Sequence, residues 1–364
     1  MKEGRIICFG EMLLRLATPR GARLRRALPG SVQASFAGAE ANVAVALAQL
    51  GLPASFIGAL PENELGVAAL EALRGAGVDV DCIVQLPRAR LGIFFLEQGA
   101  DPRPARVIYD RVGSAAALAR ADQFPFERAL EGAAWVHVSG ITSAISEQGH
   151  AANVRLVREA RRRGLPVSMD LNLRSQLWLW GGAESPVALM RRCLRELSGM
   201  VTHLWASDGQ VAEVYELPLD GGLEGSERLQ AARGLMGEVA RRFQQLERIG
   251  FSHRETLGAG HVRIGALLYD CATRQCACAP VDREGAAAPH DIAQVTDRVG
   301  TGDAFAAGLI YAHLVMAEEG LSQGAAFAAA CGALAHSIEG DFSWISAAEV
   351  RECMAAGNAR GIQR

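Results

Sequence analysis

The sequence lacks the features that mark several large classes of protein. Its formal net charge is −3 and 21% of its residues are charged, so it has no basic excess for binding nucleic acid or an anionic membrane surface. No apolar run approaches the length of a membrane span. The apolar run within the first ten residues is too short for a signal peptide. These absences predict a cytoplasmic protein that has neither nucleic acid nor a membrane as a partner.

The cysteines form no disulfide or metal-binding framework in the sequence. All eight are scattered, and no CxxC pair occurs. Cys276 and Cys278, with Cys271 nearby, form one cluster, but it has no second half of the kind that zinc sites need. Half-buried strand positions are therefore the favoured interpretation of these three residues.

The order of the hydrophobic segments indicates an α/β fold. At 364 residues, half of them hydrophobic, the chain is long enough for one large domain or two smaller ones. A strand at 54–60, a helix at 66–77 and a strand at 78–84 alternate as in a parallel sheet covered by helices. Further strands are predicted at 5–10, 135–141, 165–171 and 200–205.

Two short β-rich runs, 91–97 and 105–111, predict a hairpin inserted between the α/β units. Such an insertion is a candidate lid, because closure over a cleft keeps water away from a reacting ligand. The period of two places Tyr109 and Arg111 on one strand face, where the guanidinium suits a carboxylate. A surface arginine on a hairpin is the alternative interpretation.

Residues 297–308, Asp-Arg-Val-Gly-Thr-Gly-Asp-Ala-Phe-Ala-Ala-Gly, are the most informative stretch. They predict a tight turn, in which Gly300 and Gly302 take positive-φ conformations, followed by a helix. The unpaired N–H groups and the dipole at a helix N-terminus attract an anion. Asp303, in the first turn, is either an ordinary N-cap or a base held beside the anion.

Other polar residues are candidate ligand contacts. Glu11 follows the first strand and is either a ligand contact or a solvated loop carboxylate. Asn42 lies on an Ala-rich helix that opens at Gly38 and closes at Gly51, for which simple packing is the alternative. Polar residues also alternate at the carboxyl end of the strand 165–171, the edge at which open α/β sheets bind ligands, namely Asp170, Asn172 and Arg174.

Residues 297–308 resemble the second signature of the ribokinase-like (PfkB-type) carbohydrate kinases, D-T-x-G-A-G-D-x-F. Residues 37–44 resemble the first signature, G-G-x-x-x-N-x-A, with Ala37 in place of the first glycine. The resemblance covers essentially the whole chain. It implies one domain, 1–364, with a three-layer αβα fold, a central and mostly parallel sheet, and a small β-rich lid at about 12–36 and 91–112.

The resemblance also implies the chemistry of the site. The backbone amides of Gly300 and Gly302 would form an anion hole for the transferring phosphoryl group, and Asp303 would take the proton from the sugar hydroxyl. Arg254 and Thr301, with the two glycines, would bind the nucleotide. ATP and Mg²⁺ are the implied cofactors, and the metal ligands stay unassigned.

Five segments resemble a subfamily, the 2-keto-3-deoxygluconate kinases: 10–16, 38–44, 107–115, 251–270 and 340–342. The shared Tyr-Asp-Arg motif suits a sugar acid, since the arginine would meet the carboxylate and the tyrosine a hydroxyl. The sugar-acid contacts implied by the resemblance are Gly38, Asn42, Phe94, Tyr109, Arg111, Arg174 and Asp341. Phe94 stands where relatives carry tyrosine, which removes one hydroxyl contact.

Two segments depart from the family pattern. Ser207-Asp208-Gly209-Gln210 stands where the family has an N-E-x-E-like segment that organises Mg²⁺ through water. Asp208 or Glu213 is a candidate to compensate. The nucleotide segment, elsewhere roughly T-L-R-E or T-x-G, is Ser252-His253-Arg254-Glu255.

The predicted function is ATP-dependent phosphorylation of a sugar acid, with conversion of 2-keto-3-deoxygluconate to its 6-phosphate as the first candidate. A kinase for another sugar, a fructose-like ketose or ribose, is one alternative. A catalytically weak regulator that binds a sugar or a nucleotide is another, motivated by the segment 207–210. The resemblance further implies a homo-oligomer, either a dimer assembled through the lid or a larger assembly.

Overall fold

The structure, a computed structural model, describes residues 4–356. Its strands, in chain order, are β1 Arg5–Phe9, β2 Leu13–Ala17, β3 Gln33–Ala37, β4 Ala54–Ile57, β5 Ala59–Pro61, β6 Val84–Leu86, β7 Gly92–Glu97, β8 Arg106–Asp110, β9 Ala133–Ser139, β10 Val167–Asp170, β11 His203–Ala206, β12 Arg248–Gly258, β13 His261–Asp270, β14 Cys276–Ala279 and β15 His290–Ile292.

The helices, numbered in the same way, are α1 Leu24–Ala27, α2 Ala39–Gln49, α3 Glu64–Gly75, α4 Ala115–Leu118, α5 Phe126–Ala129, α6 Gly140–Ile145, α7 Glu147–Arg162, α8 Pro186–Ser198, α9 Asp208–Tyr215, α10 Gly225–Arg242, α11 Thr301–Val315, α12 Leu321–Ala335 and α13 Ala347–Ala356. Between residues 4 and 356, no helix combines the length and the apolar composition that crossing a membrane requires.

Nine strands form the main sheet, in the order β4-β1-β9-β10-β11-β12-β13-β14, with β15 beside β13. The pairs from β4 through to β12 are parallel, and the pairs that β13 makes with β12, β14 and β15 are antiparallel. Parallel strands need crossover connections, and here helices supply them. The mostly parallel central sheet predicted from the sequence is therefore confirmed.

Apolar side chains cover both faces of this sheet. Along β1, Ile7 and Phe9 enter the core on one side, which also contains buried residues of α7, α8 and α10. Ile6 and Cys8, which alternate with them, enter the core on the other side with α2, α11 and α12. A strand that is apolar at successive positions is typical of a sheet buried on both faces, so the three-layer αβα architecture is also confirmed.

A separate four-stranded sheet has the order β3-β2-β7-β8. Its β7 and β8 form the hairpin predicted at 91–111, and β2 joins β7 in parallel. Arg15, Phe94 and Tyr109 occupy paired positions on β2, β7 and β8, so their side chains share one face of this small sheet. Its buried residues pack against Val299, in the stretch that precedes α11.

Some local predictions were wrong. The strand predicted at 54–60 is divided between β4 and β5, and most of the strand predicted at 78–84 is absent. The Asp79 carboxylate accepts the backbone N–H of Asp81 at 3.0 Å, which turns the chain. The later β6 then pairs with β5 in a sheet of two strands. The prediction for the cysteine cluster holds for Cys276 and Cys278, which are half-buried on β14.

Candidate active site

The residues singled out in the sequence meet around one cavity of about 580 Å³. It opens between the small sheet and the carboxyl-end edge of the parallel strands, as expected for an open α/β sheet. Every candidate catalytic, sugar-binding and nucleotide-binding residue lines it: Gly38, Asn42, Phe94, Tyr109, Arg111, Arg174, Arg254, Gly300, Thr301, Gly302, Asp303 and Asp341. Their individual roles remain predictions.

The glycine-rich turn brings the N-terminus of α11 to the cavity. Gly300 is the N-cap residue, with φ 81° and ψ −11°. A Cβ at this position would collide with the backbone oxygen of Asp341, so both conformation and space require glycine. Gly302 differs from the prediction, because it lies inside the helix without a positive φ and with open space around it. Its lack of a side chain leaves room for a ligand rather than permitting a turn.

Asp303 is half-buried in the first turn of α11 and does not cap the helix, since the N-cap is Gly300. Its Oδ2 accepts a hydrogen bond from the amide of Asn42 at 2.7 Å. The pKa of Asp303 is raised to about 8: burial is the largest cause, the carboxylates of Asp170 and Asp341 also raise it, and Asn42 and Arg174 lower it. A carboxylate with this pKa is suited to accepting a proton near neutral pH.

Asn42 enters the cavity because α2 begins immediately after Gly38. Gly38 has φ 150°, and a Cβ there would collide with the backbone oxygen of Glu11, which places the start of α2 against the end of β1. The Asn42 amide donates to Asp303, while its Oδ1 is buried and has no hydrogen-bond partner among the residues that the structure describes. A buried polar atom without a partner is costly, so this oxygen is an unsatisfied acceptor on a residue that lines the cavity.

Arg111 combines a buried ion pair with one free donor. Its Nε donates to Oε2 of Glu11 at 2.6 Å, and Ser114 also hydrogen-bonds to the Glu11 carboxylate. Neither interpretation of Glu11 was correct, because this carboxylate is buried and bound to Arg111 rather than solvated or in contact with the cavity. Nη1 of Arg111 is buried and has no partner within residues 4–356.

The segment after β10 contributes Arg174 on the opposite side of the cavity. Arg174 is exposed and has a left-handed backbone, with φ 40°, a conformation that residues other than glycine rarely adopt. Its guanidinium makes no hydrogen bond or ion pair to any described residue. Asp170 also lines the cavity, and burial raises its pKa to about 6.

The segment 207–210, which departs from the family pattern, has a local structural function. Ser207 and Gln210 form a capping box at the start of α9, with the Gln210 side chain accepting the Ser207 N–H at 2.8 Å. Asp208 lines the cavity but is bound by Arg228 at 2.7 Å. Glu213 is exposed on α9 and outside the cavity lining.

Arg254 contacts the glycine-rich stretch, since its Nη2 donates to Oγ1 of Thr301 at 2.7 Å. A second cavity, of about 560 Å³, shares Arg228, His253 and Arg254 with the first. The two cavities therefore adjoin at β12.

A charged residue beside the site, Arg15, was not predicted from the sequence. Arg15 lies in the middle of β2, at the central one of three buried positions. The other two are the apolar residues Leu13 and Ala17. It is buried and ion-paired to Asp297 and Asp341. The signal that could have found it is an arginine on the inward-facing period of an apolar strand, because a buried arginine needs carboxylate partners.

Comparisons with known proteins agree with this geometry. A model for the pfkB family of carbohydrate kinases matches residues 4–235. A 2-dehydro-3-deoxygalactonokinase of Haloferax volcanii is 32% identical over 359 residues, 99% of each chain. A solved 2-dehydro-3-deoxygluconokinase of Thermotoga maritima superimposes with a TM-score of 0.86 at 33% identity, covering 97% of this chain and 99% of that one. Fructokinase-1 of Zea mays is 36% identical over 49% of this chain and 54% of its own.

The raised pKa of Asp303 predicts how stability depends on pH. An unfolded aspartate has a pKa of about 4, so the native state holds a proton that the unfolded state has lost. The stability from this group is fully present below about pH 4 and is lost as pH rises through about 8. Asp303→Asn should therefore raise the melting temperature relative to wild type by an amount that grows between pH 5 and pH 9, on the order of a few degrees.

Differential scanning fluorimetry across that range measures the effect. Asp122→Asn is the control, because Asp122 is exposed and its pKa is lowered by Arg120, so its difference from wild type should stay constant above pH 5. A difference between Asp303→Asn and wild type that is flat from pH 5 to pH 9 would contradict the raised pKa.

Proposed function

The chain belongs to the pfkB family of carbohydrate kinases and is an ATP-dependent enzyme of that class, and we propose that its substrate is a sugar acid. The first candidate is 2-keto-3-deoxygluconate (2-dehydro-3-deoxygluconate), phosphorylated at its terminal hydroxyl to the 6-phosphate. The relatives of Haloferax volcanii and Thermotoga maritima support the substrate class, and their names differ in the sugar epimer.

The observation that carries this proposal is the free Nη1 of the buried Arg111. Arg111 lines the cavity, and a guanidinium N–H without a protein partner is suited to a carboxylate oxygen through a charge-assisted hydrogen bond. Glu11 compensates the charge of Arg111, so Arg111 would orient the carboxylate. Arg174, which forms no ion pair with a described residue and interacts only electrostatically with Asp170 and Asp303, would supply the attracting positive charge. Tyr109, beside Phe94 on the small sheet, would donate to a sugar hydroxyl.

The positions of the turn residues support a role in phosphoryl transfer. With the terminal hydroxyl of the sugar next to Asp303, its proton would pass to the Asp303 carboxylate while its oxygen bonds to the γ-phosphorus of ATP. The bond between the γ-phosphorus and the β–γ bridging oxygen would break, and ADP would leave. The N–H groups at the start of α11 would stabilise the charge on the transferring group, and Asn42 would hold Asp303 toward the sugar.

The nucleotide would extend from the turn into the adjoining cavity. Arg254 lines both cavities and is bonded to Thr301, so it would contact the phosphates that lie between them. The second cavity, bounded by β12, β14 and the start of α10, would take the base and ribose. Its volume, about 560 Å³, is within the range usual for such ligands.

Mg²⁺ is expected to accompany ATP. Within the described part of the chain, no group of three or more His, Cys, Asp or Glu side chains is arranged to hold a metal. Mg²⁺ commonly keeps several waters and uses one or two carboxylates beside the phosphates. Asp170 fits this role, because its carboxylate lines the cavity and its Oδ1 accepts one backbone N–H, from Asn172 at 3.1 Å. When bound, the ion would neutralise phosphate charge, and Asp170 would hold it through water.

A kinase for a neutral ketose is the second candidate. The pairing of Arg111 with Glu11 favours it, since that ion pair has no net charge and could hydrogen-bond to hydroxyl groups. The similarity to Fructokinase-1 of Zea mays, which extends across 49% of the chain, also favours this candidate.

The substrate prediction is tested by ADP release with Mg-ATP and a panel of 2-keto-3-deoxygluconate, its galactonate epimer, fructose, ribose and adenosine. We expect turnover with the keto-deoxy acids alone.

Arg174→Gln should lower kcat/KM for the acid about 10- to 100-fold, the value of a charged hydrogen bond, without loss of stability. The control is Arg162→Gln, an exposed arginine on α7 paired with Glu159. Turnover of fructose that is unaffected by Arg174→Gln would favour the second candidate.

The proposed base predicts a pH profile. Since Asp303 must be ionised to accept a proton, kcat/KM of wild type should rise with pH through an ascending limb near pH 8. Asp303→Asn should lower kcat by about 10²- to 10⁴-fold, the usual contribution of general base catalysis. Near-normal turnover of Asp303→Asn would rule out Asp303 as the base, whatever the substrate.

The two glycines of the turn should differ in what they support. Gly302→Ala fits a helical position with open space, so the free energy of unfolding should stay unchanged or rise by up to about 1 kcal/mol. Because its methyl group intrudes on the proposed phosphoryl site, kcat should fall about tenfold or more. Gly300→Ala should instead destabilise the fold, through its positive φ and its contact with Asp341. Wild-type kcat in Gly302→Ala would contradict the proposed position of the phosphoryl group.

A further inference from the structure

Arg15 joins three segments of the chain by a buried ionic contact. The residue is 1% exposed and outside the cavity lining. Its Nη1 donates to Oδ1 of Asp341 at 2.6 Å, and its Nη2 donates to Oδ2 of Asp297. Both carboxylates are buried as well. The contact therefore connects β2 of the small sheet, the start of the glycine-rich turn, and the loop after α12.

Asp297 shapes the turn that leads to Gly300. Its Oδ1 accepts the backbone N–H groups of Arg298 at 2.7 Å and Val299 at 3.1 Å, which closes a local turn. Its Oδ2 accepts the N–H of Gly340 at 3.2 Å in addition to the bond from Arg15. The conformation of residues 297–300 thus depends on a carboxylate that Arg15 holds.

Asp341 lies directly against the reacting residues. Its backbone oxygen occupies the space beside Gly300 where a Cβ would be, and its carboxyl group lines the cavity. Asn42, Asp297 and Arg15 face this carboxyl group, and its negative charge raises the pKa of Asp303. Displacement of Asp341 would therefore change both the turn and the base.

The small sheet and the turn are also in apolar contact. Val299 packs against the inner face of the sheet, which includes Leu13 and Phe94. Arg15 is paired in register with Phe94, which is paired with Tyr109. The face that covers the sugar cavity is thus the face that bonds to the turn.

We propose that Arg15 is a positioning residue for phosphoryl transfer, one that fixes the glycine-rich turn and Asp341 relative to the small sheet that covers the sugar. This role rests on the proposed function of Asp303 and the turn. Two separate nitrogens serve two carboxylates, an arrangement that a guanidinium fork can make and a single lysine ammonium cannot.

Removal of the positive charge has a defined consequence for the base. Burial raises the pKa of Asp341 to about 6, and Arg15 opposes that shift. Without Arg15, Asp341 would bind a proton at higher pH and be neutral near pH 7. Asp303, which also faces Asp170, Arg174 and Asn42, would lose one negative neighbour. Its pKa would then fall, and the ascending limb of kcat/KM would move to lower pH.

The test compares Arg15→Lys and Arg15→Met with wild type, using the best sugar of the panel. Arg15→Lys keeps the charge, so we expect a limb at the wild-type pH, a kcat lowered about tenfold or more, and KM values for ATP and sugar changed less than kcat. Arg15→Met should in addition shift the limb to lower pH. The matched control is Arg5→Met, because Arg5 also joins distant segments through an ion pair, to Asp79, on β1 at the end away from the cavity.

A purely structural role for Arg15 gives a different result. Turnover would then fall only in proportion to the folded fraction, it would recover at low temperature, and the limb would not move; this outcome overturns the proposal. If Arg15→Met fails to fold, Arg15→Lys decides, since wild-type kcat in that variant also overturns it. Retained turnover in Asp303→Asn refutes the proposed base separately, while the kcat of Arg15→Lys still reports on positioning.

Discussion

The site depends on a few guanidinium groups that offset the negative charge of several carboxylates near the N-terminus of α11. Asp170, Asp303 and Asp341 converge there, and burial raises the pKa of each. The ligands of a kinase are themselves anionic, so such a cavity binds them only if cations and N–H dipoles are fixed nearby. Arg15 contributes positive charge from outside the cavity lining, and Arg174 contributes it as an exposed residue of that lining. The helix N-terminus supplies N–H groups without an added charge.

The positions of the site residues could be predicted from the sequence because they follow from local rules. Glycine before an Ala-rich helix places Asn42 and Asp303 in first turns, and parallel strands bring their carboxyl ends to one edge. The partners of buried charges could not be predicted in this way. Arg15 and Asp341 are 326 residues apart, and Arg111 and Glu11 are 100 apart, so the pairing depends on packing that no periodicity describes.

Two pairs of residues show where residue type alone is insufficient. Glycine at 300 and at 302 has the same local pattern, yet one is required by backbone conformation and the other leaves space. Ser207 and Gln210 stand where the family has a segment that organises Mg²⁺, and in the structure they form a helix cap. In both cases one residue type can serve either the backbone conformation or a bound ligand. Only the positions of neighbouring atoms distinguish these two roles.

The Glu11–Arg111 ion pair affects how the site could discriminate between a sugar acid and a neutral sugar. Since Glu11 offsets the charge of Arg111 inside the protein, a carboxylate entering the cavity gains direction from Nη1 but little net attraction. It also approaches the carboxylates around Asp303. The long-range attraction would then come from Arg174, which is exposed in a left-handed segment at the cavity and forms no ion pair with a described residue, although its charge interacts with Asp170 and Asp303. We infer that the Tyr-Asp-Arg motif sets the orientation of the sugar, whereas Arg174 sets the preference for an acid.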